Sequence, residues 1–280
     1  MKSGGSSSTF VLCELNWTGH FHAPFNAALI GVIRRAFPKE KVFFFAESRH
    51  LDEVRGHLDH SDMEKVEFVS LDNGNMSDQW SEYRTYCING DHHPLRRIAP
   101  TYNCIRSCLR EASKKSGGGS SFRTVVTSGT EEIICALLML RLSLSPANYQ
   151  IVLHGNVSEI VGWRSRRPLW RFLDLRSMLQ YGCILNLPFV VLEEHIPRQV
   201  AEELSGFCGC RDFSVLPHPV PSGGDDELGT RDWDRPVVVG YAGLATPAKG
   251  FDKFLRLAEL TKKANITQVK FTACGSVGPM

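Results

Sequence analysis

Short apolar runs alternate with helix-patterned segments along almost the whole of this chain, and that alternation restricts the fold more than any other feature. The runs are Phe10–Leu15, Lys41–Ala46, Val66–Leu71, Thr124–Thr127, Tyr149–Leu153, Phe189–Leu192, Phe213–Leu216, Pro236–Val239 and Val269–Ala273, each four to six residues long. Between them, apolar residues fall at helical spacing in Pro24–Phe37, in Leu51–Leu58, in the stretch bearing Ile98, Tyr102, Ile105 and Leu109, in Glu131–Leu142, and in a helix running through Val200 and Leu204. Strands of this length separated by helices predict an α/β, doubly wound, Rossmann-type parallel sheet. The near-continuous apolar character of the runs predicts strands buried on both faces. Sheets of this kind take ligands at the carboxyl ends of their strands. The loops after Leu15, Thr127, Leu153, Leu192 and Val239 are therefore the places to look for chemistry.

Pro217-His-Pro-Val-Pro-Ser-Gly-Gly-Asp-Asp-Glu opens a stretch rich in proline, glycine and acid that reads as a linker. The expected organisation is a disordered tail over 1–9, a Rossmann-like unit over 10–222, a linker over 223–235 and the start of a second Rossmann-type unit over 236–280. A net charge of +2 with 22% charged residues gives no reason to expect a nucleic-acid partner. The nine cysteines are scattered, which fits free thiols in a reducing cytosol, and Cys208-Gly-Cys210 lacks the spacing of a metal site. The polar N-terminus has no apolar signal core, and Ile133–Leu144 is too short to span a bilayer. A cytoplasmic protein is expected.

The chemistry-bearing segment is Gly240-Tyr-Ala-Gly243-Leu-Ala-Thr-Pro-Ala-Lys249-Gly250-Phe251. It follows a strand, and Phe251, Phe254, Leu255 and Ala258 continue it at helical spacing. Strand, glycine-bearing loop, lysine and helix form an anion site: glycines admit backbone N–H groups, the helix N-terminus adds partial positive charge, and Lys249 adds a full one.

Two Rossmann-like halves, a proline-rich hinge and a second half opening with G-x-x-G-x5-K-G resemble the GT-B glycosyltransferases, in particular the retaining, glycogen-synthase-like group. Phe213-Ser-Val-Leu-Pro-His-Pro-Val-Pro221 resembles the segment that ends the N-terminal domain there. Ile151-Val-Leu-His154-Gly155 resembles the segment carrying that group's active-site histidine, and Thr18-Gly19-His20 matches the position of its glycine-bearing acceptor and donor loop. The resemblance implies transfer of a sugar from a nucleotide-activated donor to a hydroxyl, with retention and without a metal or other cofactor. In that reading His154 acts at the reaction centre, and Lys249, Gly243 and Gly250 hold the donor diphosphate. Gly19 and His20 line the acceptor and donor loop. The acceptor is a carbohydrate or a lipid-linked molecule. Two departures stand beside it. Leu244 occupies a position where many members have arginine, and no Glu-x7-Glu motif follows Lys249. They support an alternative, a glycosyltransferase-like binding module with an incomplete donor site.

Other residues carry weaker signals. Glu193-Glu194-His195 follows the sixth run and offers substrate contacts, or simply an acidic helix start. Ser128-Gly129-Thr130 reads as a strand-to-helix turn with Thr130 as N-cap and no hydrolase motif around it. Gly162–Arg176 interleaves five arginines with Trp163, Trp170, Phe172 and leucines, a pattern suited to peripheral membrane contact. Asn16-Trp-Thr-Gly-His-Phe-His lacks the G-x-G-x-x-G of a dinucleotide site, which argues against an NAD-dependent oxidoreductase. An open sheet edge after Val269–Ala273 would invite dimerisation.

Overall fold

The computed structural model describes residues 8–16, 18–20, 22–88, 94–117, 121–143, 148–154, 168–204, 213–217, 237–242 and 250–274. The chain divides into two units, Met1–Ser222 and Gly223–Met280.

The first unit is built on seven parallel strands: β1 Ser8–Cys13, β2 Lys41–Ala46, β3 Val66–Ser70, β4 Ser121–Val126, β5 Asn148–Leu153, β6 Phe189–Val191 and β7 Phe213–Val215. Their order is β3-β2-β1-β4-β5-β6-β7. The chain first winds outward from β1 to β3, then returns to pair β4 with β1 and winds the other way. The switch point therefore lies between β1 and β4, where Cys13 pairs with Val126.

Helices cover both faces, and the alternating side chains of each strand divide accordingly. Phe10, Leu12, Val42 and Phe44 pack with α1 (Ala23–Ala36) and α2 (Ser48–Gly56). Val11, Cys13, Phe43 and Phe45 pack toward α4 (Ser77–Tyr83), α5 (Pro94–Lys115) and α6 (Glu131–Leu142). The same layer continues through α7 (Leu175–Ile184) and α8 (Ile196–Glu203), and a short α3 (His60–Met63) sits between α2 and β3. Burial on both faces explains why the strands read as apolar runs rather than as alternating patterns.

The stretch after β3, polar in sequence, is not a plain loop. It forms a 3-10 turn over Gly74–Met76, then α4, then a π-helical turn over Arg84–Ile88, and it buries Trp80 and Tyr83. One glycine is required by close packing. A Cβ on Gly129 would stand 2.4 Å from Ile151 and 2.7 Å from Leu153, because its N–H bonds the Val152 carbonyl at 2.8 Å and draws the β4 turn against β5.

The second unit contains β8 Val237–Ala242, α9 Phe251–Lys263 and β9 Val269–Cys274. β8 and β9 pair in parallel, and the rings of Tyr241, Phe251, Phe254 and Phe271 pack together between strand and helix, centroids 4.9–5.9 Å apart. Cys13, Cys87, Cys104, Cys108, Cys135 and Cys274 are free thiols. Cys183 is disulfide-bonded, so the expectation of free thiols throughout fails at that residue.

Candidate active site

At the carboxyl end of β1 the backbone delivers Glu14, a carboxylate with 0% exposure. Burying a lone charge costs several kcal/mol, so its partners decide whether the fold tolerates it. Among the described residues, four donors converge on its two oxygens. The Asn16 N–H reaches Oε1 at 3.0 Å, Asn26 Nδ2 reaches Oε2 at 3.2 Å, the Thr127 hydroxyl reaches Oε2 at 2.8 Å, and the Ser128 hydroxyl bonds Oε1. These donors come from the β1 loop, α1 and the end of β4, so one side chain ties together the elements that meet at the switch point. Asn16 continues the network. Its Nδ2 donates to the Ser128 carbonyl at 3.1 Å, and the Tyr83 hydroxyl donates to its Oδ1 at 2.6 Å. Burial, and after it the nearby Glu132 charge, push the Tyr83 phenol well above its ordinary value, so it stays a donor.

The network also fixes the loop after β1. His50 Nδ1 lies 2.7 Å from the Gly19 carbonyl, which can only accept, so Nδ1 carries the proton. Nε2 is then the acceptor for Asn26 Nδ2 at 2.9 Å. Asn26 thus gives one hydrogen to Glu14 and one to His50. The Gly19 N–H points to Glu47 at 3.4 Å, so both backbone groups of Gly19 are held. Gly19 sits at φ 61°, in the left-handed region that glycine enters without penalty. His22 is left-handed as well, φ 59°, at the N-cap of α1. For a residue with a Cβ this is strained backbone, of a kind that concentrates at functional sites.

That strained turn brings His22 against His154 at the end of β5, with ring centroids 4.3 Å apart. Phe25 meets the other side of His154 edge-on at 4.6 Å. His154 Nε2 bonds the Thr127 carbonyl and so must carry its proton, which leaves the lone pair of the neutral ring on Nδ1. Two imidazoles in contact, one apolar ring and a clamped glycine loop converge at the helix N-terminus beside the switch point. The arrangement can hold a polar, anionic substrate and exchange protons with its hydroxyls.

The residues singled out from sequence fare differently. Gly19 and His154 belong to this convergence. His20 is exposed, and it is His22 that faces His154. Glu193 and Glu194 are exposed after β6, where Glu193 pairs with His195 at 3.3 Å. Gly250 is the N-cap of α9 at φ 76°, with Asp252 in the first helical turn. Gly243 and Lys249 lie outside the described residues, as do residues 162–167 of the arginine-rich segment. The rest of that segment forms a 3-10 turn over Pro168–Leu173 and enters α7. Glu14, His22, Asn26 and His50 were not anticipated. Among the described residues no cluster of three or more metal-ligating side chains exists. Asp232-Trp-Asp234 is an Asp-x-Asp triplet in the sequence, also outside the described residues.

Behind this site, Glu132 at the start of α6 is 2% exposed and forms an ion pair with Arg97 of α5. Burial, then the neighbouring Glu131, raise the Glu132 carboxyl above its ordinary value despite Arg97. An acid whose native value is raised binds more protons when folded than when unfolded. It therefore favours folding at low pH and loses that contribution as pH rises from the unfolded value toward the native one. Arg97→Ala should raise Glu132 further, destabilising the protein by about 2–3 kcal/mol at pH 8, somewhat below a fully buried pair because Arg97 keeps some exposure. The loss should shrink as pH falls through the raised native value, and below pH 4.5 Glu132 becomes neutral in the folded and unfolded states alike. Urea melts of both proteins across that range check it, and a pH-independent difference would contradict it.

No known protein family and no curated protein matches this sequence. Solved structures do match in fold. A trehalose-phosphate synthase (UDP-forming) from Burkholderia vietnamiensis superposes with a TM-score of 0.54 at 10% identity, over 97% of this chain and 64% of that one. Arabidopsis thaliana UGT89C1 complexed with quercetin gives 0.51 at 14% identity, over 98% and 70%. A trehalose-6-phosphate protein from E. coli bound with UDP-2-fluoro glucose gives 0.50 at 10% identity, over 96% and 65%. This chain thus spans about two thirds of the length of the two trehalose proteins. At such identities the likeness concerns architecture: the chain has an α/β fold of the GT-B kind, with a parallel Rossmann-type sheet of seven strands.

Proposed function

We propose that this protein transfers a sugar from a nucleotide-activated donor to a hydroxyl acceptor. The observation that carries the reading is the contact of His154 with His22 beside the clamped Gly19 loop, at the switch point of a GT-B-like sheet. A UDP-forming synthase and a bound UDP-2-fluoro glucose in the names of fold neighbours support a nucleotide-sugar donor. In this reading His154 contacts the donor sugar and His22 lies beside it, while the Gly19 loop and the α1 N-terminus receive acceptor or donor oxygens. Glu193 and Glu194 contribute further substrate contacts. Lys249, with Gly243 and Gly250 at the start of α9, neutralises the diphosphate as the glycosidic bond breaks, which is where charge develops. Transfer proceeds with retention. It proceeds without a metal, because Lys249 and the helix N-terminus supply the positive charge.

The test is transfer or hydrolysis of a panel of radiolabelled UDP-, GDP- and ADP-sugars, with product anomers read by NMR and with EDTA present. Lys249→Ala should lower kcat/KM by about 10²–10³, the typical loss of one electrostatic stabiliser. Nucleotide sugars that neither bind nor turn over would refute the proposal. Leu244, where arginine is expected, favours a second reading as a binding module. Donor or acceptor binding by calorimetry, with no turnover under any condition, would select it.

A further inference from the structure

We propose that the first unit docks on anionic membranes through the outer faces of the C-terminal halves of α5, α6 and α7, toward the sheet edge remote from the candidate site. A helix that packs on a sheet ordinarily turns a polar face to water. α6 does not. Ile133, Ile134, Leu137 and Leu140 are buried inward, yet Met139 and Leu142 on its outer side are 44% and 66% exposed. On α7, Tyr181 and Ile184 are 41% and 59% exposed. β4, β5 and β6 are parallel, so the helices joining them run opposite to the strands and end at the same edge. α6 and α7 are neighbours, which places these four apolar residues in adjoining last turns.

α5 lies against α6 and ends at the same edge, because it leads into β4. Its buried positions are Cys104, Ile105, Cys108 and Ala112, so its outward stripe runs through Arg106, Arg110 and Lys114. No acid stands on that stripe; the half-buried Glu111 beside it meets Lys114 at 3.7 Å, a surface pair that screening weakens. A basic strip thus borders an apolar one. A bilayer with anionic headgroups offers both complements, phosphate or carboxylate to the arginines and an apolar layer to the four side chains. A second copy of this chain offers only one of them, because a symmetric pairing of this face brings like-charged arginine strips together.

The consequence concerns orientation. The surface lies about 18 Å, one α6 length, from the edge that holds His154, so a docked molecule keeps that edge turned away from the lipid. The inference does not rest on the proposed glycosyl transfer.

The experiment is co-sedimentation of the full chain with vesicles of phosphatidylcholine alone and of phosphatidylcholine with about one third phosphatidylserine, at low and high salt. Binding is expected on the anionic vesicles only, falling as salt rises. Arg106→Gln/Arg110→Gln should weaken it by about fivefold per charge removed. Leu142→Ser/Ile184→Ser should weaken it at unchanged charge; both pairs are exposed and should keep the wild-type circular dichroism. Four results would overturn the proposal: no binding, equal binding to both vesicles, full binding by both double variants, or a wild-type dimer that Leu142→Ser/Ile184→Ser makes monomeric in sedimentation velocity.

Discussion

Glu14→Ala should unfold the first unit at markedly lower urea, with a loss of about 4–5 kcal/mol. The carboxylate is fully buried and, among the described residues, receives four donors. A hydrogen bond to a charged group contributes roughly 1.5–3 kcal/mol, and a donor left buried without an acceptor costs about 1–3 kcal/mol. The terms are not additive, since the cavity admits water and Ser128 and Thr127 can rotate toward carbonyls, so the sum is taken well below four full penalties. Glu14→Gln is the informative companion. Its amide keeps the shape but replaces one acceptor oxygen with a donor, which must face the Asn26 or Ser128 donors. An intermediate loss of about 2 kcal/mol is expected, together with release of Asn26 from His50 and hence of the Gly19 carbonyl. Chemical-denaturation midpoints with unchanged m-values check the energies. A Gln variant as stable as wild type would show that Glu14 is not held as a charged acceptor.

The strands were legible because burial on both faces leaves a strong imprint: six residues such as Lys41-Val-Phe-Phe-Phe-Ala46 admit few other readings. The candidate site was legible in part. His154 and Gly19 stand where a doubly wound sheet puts ligands, and strand ends can be counted from sequence. His22 could not be separated from His20, because a left-handed turn, not spacing, decides which side chain faces β5. Asn26 and His50 were hidden inside helices, where a buried polar residue and a solvated one look alike until the partner is known. Glu14 did leave a signal. It is an acid inside the apolar run Phe10–Leu15, and a charge in a buried strand requires dedicated partners. The helix α4 before α5 left no signal in the sequence, because Trp80 and Tyr83 are isolated apolar residues among charges, too sparse for a periodic pattern.

If the chain transfers sugars, His154→Ala should lower kcat by about 10²–10³ while leaving the unfolding free energy within about 1 kcal/mol of wild type. The prediction separates catalysis from architecture, because the His154 side chain is only half-buried and ends a strand rather than filling the core. Its Nε2 proton is committed to the Thr127 carbonyl, so the ring is held in one tautomer with its lone pair on Nδ1. His154→Gln keeps a donor for that carbonyl and should keep the fold, but its amide cannot reproduce a basic imidazole nitrogen that accepts a proton. His22→Ala should behave differently. Removing the ring loosens the His154 orientation and also replaces a strained left-handed residue, for which His22→Gly is the control that relieves the strain without restoring the ring. The expected pattern is a gain in stability for His22→Gly relative to His22→Ala with equal losses of activity. Should His22→Gly recover wild-type turnover, the ring contact with His154 plays no part in the reaction, and the left-handed turn serves only to start α1. Should His154→Ala and His154→Gln both turn over normally, the site proposed at the ends of β1 and β5 is in the wrong place.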